Sequence, residues 1–249
     1  MSRTLLAFPS ALSSELLHYI LAQETHPTTL IVCQSHEDFM ESLHKNISQA
    51  FHEQPVEKTI GGSNLLIKSQ IPSWEPQHGH DLLTPTIGQV AASQRTSVVF
   101  TPTLSHLRAF LAVFSHQNHP NYLPISESTD TKIIPSLVLF GLVDLHEESG
   151  QSNLQELGNT ISGLVEAGQR TESKILLVEP LGLNNIVSSD IEDIDLERRG
   201  VWERRIPLLG SSVKYAGPFN EENERTGRTV EIKKVIEQWF EFVDHKWGN

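Results

Sequence analysis

The sequence predicts an α/β protein built on a mostly parallel, doubly wound sheet, with an antiparallel β pair at its C-terminal end. Short apolar runs alternate with amphipathic stretches four times along the chain, which is the order of successive strand–helix–strand units. One run, residues 133–145 (IIPSLVLFGLVDL), is almost continuously apolar, as expected of a central parallel strand buried on both faces. The chain has 249 residues, a length that suits one domain with loops.

The N-terminal unit has the pattern of a strand, a tight break and a helix. Thr4–Phe8 is apolar and predicts a buried strand, and Glu15–Gln23 carries Leu and Ile at helical spacing. Thr28–Ser35 is β-branched and apolar, follows a proline and predicts the second strand. The next stretch, HEDFMESLHKNISQAF, predicts a helix because its apolar residues step by four. These residues are Phe39, Leu43, Ile47 and Phe51.

The middle of the chain predicts an irregular insertion followed by a regular strand–helix unit. Residues 54–81 mix proline, glycine and polar residues, with one short strand expected at Asn64–Lys68. A short helix is expected at Pro85–Gln94 and a third strand at Ser97–Pro102. The stretch TLSHLRAFLAVFSH then predicts an amphipathic helix. Its apolar stripe consists of Leu104, Leu107, Leu111 and Phe114.

The last third changes character after one more helix and strand. NLQELGNTISGLVEAGQR predicts a helix, and Lys174–Pro180 predicts a further buried strand. Residues 181–200 are acidic without a clear period and are interpreted as a surface loop. Its acidic centre, Asp190–Glu197, is either solvated or orders against a basic partner. The segments RIPLLGSSVKYAG and RTVEIKKVIEQWFEFV favour an antiparallel pair closing the sheet edge, although VIEQWFEFV also suits a helix.

Composition indicates a protein of a reducing compartment that does not span a membrane. Cys33 is the one cysteine, so an internal disulfide framework is excluded. Its place in a predicted buried strand favours packing over nucleophilic catalysis. No apolar stretch is long enough to cross a bilayer, and no secretory cleavage site follows the first residues. These observations alone do not separate nucleus from cytoplasm.

The charge is distributed unevenly along the chain. The net charge is −12, but residues 198–249 carry ten Lys and Arg against eight Asp and Glu. The remainder of the chain is therefore strongly acidic and repels nucleic acid. Any nucleic-acid contact is expected in the C-terminal third, through long side chains that bind phosphate rather than read bases. The candidate contact residues are Arg204, Arg205, Lys214, Arg225 and Arg228.

The break after the first strand lies where a nucleotide-binding α/β protein carries its phosphate loop. Such a loop needs glycines, so that backbone N–H groups approach phosphate, and a lysine to neutralise it. The loop here reads PSALSSE and has neither. The residue directly after the strand SLVLF is Gly141 rather than a magnesium-binding aspartate, and Asp144 follows only three positions later. ATP hydrolysis is therefore not expected.

Other chemistry has little support in the sequence. The histidines lie close together in two places, but no HExxH or paired CxxC motif and no suitably spaced carboxylate completes a metal site. These histidines are His78, His80, His116 and His119. No GxSxG elbow is present to support serine-hydrolase chemistry. We therefore predict no catalytic residue, no metal and no cofactor.

The order of elements resembles the small, ATP-independent RecA-like recombinase paralogs, namely Shu-complex subunits and the human partner of the SWIM-domain Shu protein. The resemblance covers most of the chain as a pattern of spacing and hydropathy. TLLAF–PSALSSE–LLHYILAQ falls at the phosphate-loop position and TTLIVCQS at the next strand. SLVLFGLVDL falls at the strand that would carry the magnesium-binding aspartate, and LQELGNTISGLVEAGQRTESKILLVEP follows as a helix and strand.

The resemblance implies one RecA-like domain over residues 1–249 that acts as a pseudo-ATPase scaffold. It implies a nuclear heteromer with another RecA-like or SWIM-type subunit, which assists homologous recombination and DNA repair. DNA contact would then be weak and made through the complex. The chain resembles almost as well the RecA-like subunits of the Elongator accessory subcomplex, which bind transfer RNA as a ring, and that alternative implies a role in tRNA modification. A cytoplasmic location is the alternative to the nuclear one. A third alternative is an α/β enzyme with an unrecognised site.

Overall fold

A computed structural model describes residues 5–23, 26–52, 82–115, 134–181, 200–208 and 228–247. These residues form a six-stranded sheet with helices on both faces, and a separate two-stranded sheet. The strands are β1 (Leu5–Ala7), β2 (Thr28–Val32), β3 (Thr96–Phe100), β4 (Ser136–Phe140), β5 (Lys174–Val178), β6 (Arg205–Pro207), β7 (Thr229–Glu231) and β8 (Glu241–Phe242). The helices are α1 (Ser13–Gln23), α2 (His36–His52), α3 (Ile87–Ser93), α4 (Leu104–Val113), α5 (Leu142–Glu148), α6 (Leu154–Arg170) and α7 (Ile232–Ile236).

The main sheet has the strand order β3-β2-β4-β5-β1-β8, and every neighbouring pair is parallel. The predicted mostly parallel, doubly wound sheet is confirmed. All five residues of β2 and all five of β4 are buried, because both strands lie inside the sheet with helices over each face. Val138 and Leu139 on β4 are fully buried, as the continuous apolar run predicts.

Alternate side chains of the central strands divide the core into two layers. Leu137 and Leu139 belong to the layer that contains the buried stripe of α4 and α6. Val138 and Phe140 belong to the opposite layer, which contains buried residues of α1 and α2. Asparagine or threonine caps fix where several helices begin. The side chain of Thr103 accepts from the N–H of His106 at α4, for example.

Two interpretations of the sequence are corrected at the ends of strands. The apolar run at residues 133–145 is not one strand, because Gly141 adopts a left-handed conformation (φ 89°) and α5 begins at Leu142. Similarly, in the segment RTVEIKKVIEQWFEFV the strand that begins it is limited to β7. Its continuation is the short helix α7, because Ile232, Val235 and Ile236 are buried together at helical spacing.

The C-terminal antiparallel pair is present, but it does not close the main sheet. β6 and β7 pair antiparallel as a sheet of their own. The edge next to β1 is instead occupied by β8, which is parallel to β1. This expectation about the edge was wrong because β8 has only two residues, too few to display a sequence pattern.

Several expectations fall outside the described residues. These are the insertion at 54–81 with its strand Asn64–Lys68, most of the acidic loop at 181–200, and the turn that joins the last two segments. Across the parts of the chain that the structure describes, no helix is both long enough and apolar enough to cross a membrane.

Candidate functional site

The carboxyl ends of the neighbouring strands β4, β5 and β1 lie side by side along one edge of the sheet, the carboxyl edge. Open α/β sheets bind ligands at this edge. The loop that follows β1 is paired with the end of β5 at this edge. The N–H of Ala11 donates to the carbonyl of Glu179, and the N–H of Leu181 donates to the carbonyl of Ala11, both at 2.9 Å. Ala11 also forms a β-bridge with Pro180. The loop backbone therefore bonds to the protein itself, whereas a phosphate loop presents free N–H groups to its ligand.

Two tryptophans from distant parts of the chain, one in each layer of the core, donate to backbone carbonyls at the start of this loop. The indole N–H of Trp202 donates to the carbonyl of Phe8 at 3.1 Å, and that of Trp247 donates to the carbonyl of Pro9 at 3.1 Å. The ring of His245 stacks on Phe8 with 5.0 Å between centroids. The C-terminal segment therefore contacts the start of this loop through His245 and Trp247.

The N-terminus of α1 already has an anionic partner. Glu15 lies in the first turn, and its carboxylate accepts from the N–H of Leu12 at 2.8 Å. A carboxylate satisfies one of the free N–H groups and complements the positive end of the helix dipole. It also adds a negative charge where the phosphates of a nucleotide would bind, so a second anion is disfavoured there.

Glu179 is the most unusual ionisable group at this edge, and the sequence analysis did not single it out. It follows β5 directly, is fully buried, and accepts from the N–H of Val143 at 3.1 Å through both carboxyl oxygens. Burial raises the pKa of Glu179 well above its usual range, Asp144 acts in the same direction, and N–H groups at the start of α5 oppose the shift. The one available signal was an acid at the end of the apolar run KILLVEP.

Cys33 lies beside this carboxyl group and is not activated. The residue is buried, and burial together with the charge of Glu179 raises the pKa of its thiol. Only the thiolate is nucleophilic, so the expectation that Cys33 packs rather than reacts agrees with its surroundings. A Cβ at Gly141 would lie 3.6 Å from the Cβ of Cys33, so the residues that follow β2 and β4 approach each other closely.

Asp144 is held by an arginine of the C-terminal region. It lies in the first turn of α5, and Arg204 contacts its carboxylate at 3.3 Å and that of Glu147 at 3.0 Å. Burial raises the pKa of Asp144, and the charge of Arg204 opposes this shift. Because its carboxylate is shared with an arginine, Asp144 is poorly suited to hold the magnesium of a nucleotide.

Three of the five candidate nucleic-acid contacts lie within the described residues. Arg204 is paired as described, and Arg205 bonds Thr229 at 2.9 Å and contacts Glu231 at 3.5 Å. Arg228 is exposed and makes no ion pair within the described residues. Lys214 and Arg225 lie outside those residues. A phosphate at Arg204 or Arg205 would have to compete with carboxylates already bound there.

A second polar cluster joins the helices α4, α5 and α6. His146 is buried, and its ring nitrogens lie 3.2 Å from the carbonyl of Gln151 and 3.1 Å from the hydroxyl of Thr160. Arg108 of α4 donates to the same hydroxyl at 3.1 Å and contacts Glu156 at 2.8 Å. Burial lowers the pKa of His146, and the charge of Arg108 acts in the same direction. The cluster is satisfied internally and has the character of a structural network.

Metal-binding side chains do not gather at either place. Among the described residues, no three His, Cys, Asp or Glu side chains are placed to hold a metal ion. The paired histidines of the sequence analysis, His78, His80, His116 and His119, all lie outside those residues. Comparison with models of known protein families found no match, and no curated protein matches the chain in sequence. The fold and the geometry of the β1 loop therefore carry the functional argument.

Proposed function

We propose that this chain is a non-catalytic RecA-like subunit of a heteromeric complex that assists homologous recombination and DNA repair. The observation that supports the proposal is the closed loop after β1. The loop follows the first strand, where the RecA-like pattern would carry a phosphate loop. Its backbone is instead paired with the end of β5, and the carbonyls of Phe8 and Pro9 accept from Trp202 and Trp247.

The charges around the loop disfavour a bound triphosphate for a simple physical reason. Catalysis of phosphoryl transfer depends on cations and N–H groups that neutralise the phosphates. Glu15 is an acid at this edge, the nearby cation Arg204 is already paired with Asp144, and the loop supplies no lysine or glycine. A protein that keeps this sheet without a usable nucleotide site retains surfaces for assembly, which is the role proposed.

Nucleic-acid contact, in this proposal, belongs to the complex. Arg228, Lys214 and Arg225 are the proposed phosphate contacts, with Arg204 and Arg205 contributing only where phosphate displaces their carboxylate partners. The acidic remainder of the chain makes the isolated subunit a weak binder. A partner subunit must therefore extend the basic surface. A nuclear location follows from the proposed role.

The test is purification of the endogenous complex through a tag on this chain, followed by mass spectrometry. We expect a second RecA-like or SWIM-type subunit in stoichiometric amount, and increased sensitivity to DNA breaks when the chain is deleted. Subunits of a tRNA-modifying complex, together with loss of modified tRNA nucleosides, would favour the Elongator alternative. Recovery of the chain alone, with no repair defect on deletion, would contradict both.

A further inference from the structure

β3 forms one edge of the main sheet among the described strands, since it pairs only with β2. It contains no charged residue and no proline, pairs with β2 residue for residue, and leaves the side chain of Val98 41% exposed at its centre. Natural edge strands are usually protected by charges, proline or bulges against pairing with another chain. β3 has none of these protections in its sequence and, within the described residues, no second strand pairs with it, so its outer edge is suited to a partner strand.

The backbone N–H and C=O groups of successive β3 residues point alternately toward β2 and away from it, and those of the central residue, Val98, point away. The N–H of Thr28 donates to the carbonyl of Arg95 at 3.1 Å, and the N–H of Thr101 donates to the carbonyl of Val32 at 2.8 Å. In a parallel pair, alternate residues direct both backbone groups to the same neighbour. The odd-numbered residues therefore face β2, and the even-numbered residues face away from it. The outward-facing residues are Thr96, Val98 and Phe100.

This arrangement is self-complementary. A second copy of β3 placed antiparallel about a twofold axis through Val98 pairs Val98 with its own counterpart and Thr96 with Phe100. Every residue in these pairs faces outward, so each can exchange two N–H···O bonds with its partner. The central pair brings two β-branched side chains together, which stabilises a sheet.

Opposite charges lie at the two ends of the strand. Arg95 precedes β3, and its guanidinium makes no ion pair within the described part of the chain. At the other end, the ring of Phe100 contacts that of His36 at 5.0 Å between centroids, which places the start of α2 beside this end. A twofold axis through the centre of β3 brings Arg95 of each copy close to the start of α2 in the other copy, where acidic side chains are exposed. The exposed acids of that end are Glu37 and Asp38.

We infer that the chain self-associates through an antiparallel β3–β3 pair, which makes one sheet continuous across two copies. The contact is isologous, so both copies contribute the same strand and the same charges. Each copy carries a net charge of −12, which opposes association, so pairing requires a strand that is itself uncharged and has a cation beside it. The pairing does not depend on the proposed role in recombination.

Sedimentation equilibrium of the purified full-length chain tests the pairing. The wild type is expected to dimerise, and Val98→Lys to be monomeric, because a lysine at an edge strand opposes pairing. Arg95→Glu and Glu37→Arg should each raise the dimer dissociation constant roughly tenfold, since each change reverses two surface ion pairs. An equimolar mixture of these two variants restores both pairs and should regain wild-type affinity.

Matched controls separate pairing from folding. Arg228→Glu reverses an exposed cation elsewhere, and Val113→Lys changes a valine that is 73% exposed on α4, so both should dimerise as the wild type does. Circular dichroism and urea unfolding establish that Val98→Lys folds. A wild type that stays monomeric at its highest soluble concentration would overturn the inference. So would a dimer that survives Val98→Lys, a mixture that fails to regain affinity, or a strand of a different protein cross-linked to β3.

Discussion

Replacement of Glu179 tests how much this buried carboxyl group, at the carboxyl ends of the strands, stabilises the fold. The carboxyl group is fully buried, and both of its oxygens accept from the N–H of Val143. Glu179→Ala leaves buried donors at the start of α5 without an acceptor, which costs about 1–3 kcal/mol. It also removes buried side-chain volume, so the total loss of unfolding free energy should be about 2–4 kcal/mol. Glu179→Gln keeps an acceptor oxygen and should lose less than about 1 kcal/mol at neutral pH.

The pH dependence of the glutamine variant adds a second readout. The pKa of Glu179 is raised in the folded state above its ordinary value of 4.5, so the folded protein holds this proton more tightly than the unfolded chain. Its contribution to stability is therefore fully present below pH 4.5 and is lost as the pH rises through the folded pKa. Glu179→Gln does not titrate, so its stability should fall less than that of the wild type over this range.

Urea unfolding followed by circular dichroism measures both effects, with the m-value as a check that the unfolded state is unchanged. Glu166→Ala is a suitable control because that glutamate is largely exposed on α6. A loss below about 0.5 kcal/mol for Glu179→Ala would refute the argument, since that size is typical of an uninvolved surface residue. Equal pH profiles for wild type and Glu179→Gln would refute the assignment of the titrating group.

Three further predictions concern the core and the helix network. Leu139→Asp places a charge in the fully buried centre of β4 and should abolish cooperative unfolding in a urea titration, whereas a stable variant would show that the strand is misplaced. Gly141→Ala should cost about 1–2 kcal/mol in the same assay because φ is 89°, although its Cβ has room; an unchanged midpoint would contradict the left-handed conformation. Burial lowers the pKa of His146 below 6.5, so its contribution to stability is present above pH 6.5 and is lost on acidification. The wild type should therefore lose stability below pH 6.5 more steeply than His146→Gln, and parallel profiles would exclude this residue.

The sequence predicted the layered sheet because local patterns determine it. Continuous apolar runs identified β2, β4 and β5, and helical spacing identified α2, α4 and α6. Boundaries failed where conformation depends on a single residue, as at Gly141, or on an element too short to have a period, as in β8. Propensity alone did not distinguish strand from helix in α7.

The composition of the loop after β1 could be predicted, but the residues that contact it could not, because they lie far away along the chain. The absence of glycine and lysine from PSALSSE could be seen directly. The groups that close the loop could not, because Trp202 and Trp247 lie 194 and 238 positions from the residues whose carbonyls they bond. Nor does any local pattern predict that Arg204 reaches Asp144 and Glu147. Such contacts exist only once the sheet has brought distant loops together.

Isothermal titration calorimetry of Mg²⁺–ATP against the purified, folded chain tests the central claim most directly. In the loop after β1, Glu15 accepts from the N–H of Leu12, and two tryptophans donate to the carbonyls of Phe8 and Pro9. We therefore expect no binding heat even at millimolar nucleotide. The same result is expected for ADP, because the loop has no lysine or glycine to bind its α- or β-phosphate. A saturable isotherm with micromolar affinity would contradict the account and make this edge of the sheet a working nucleotide site.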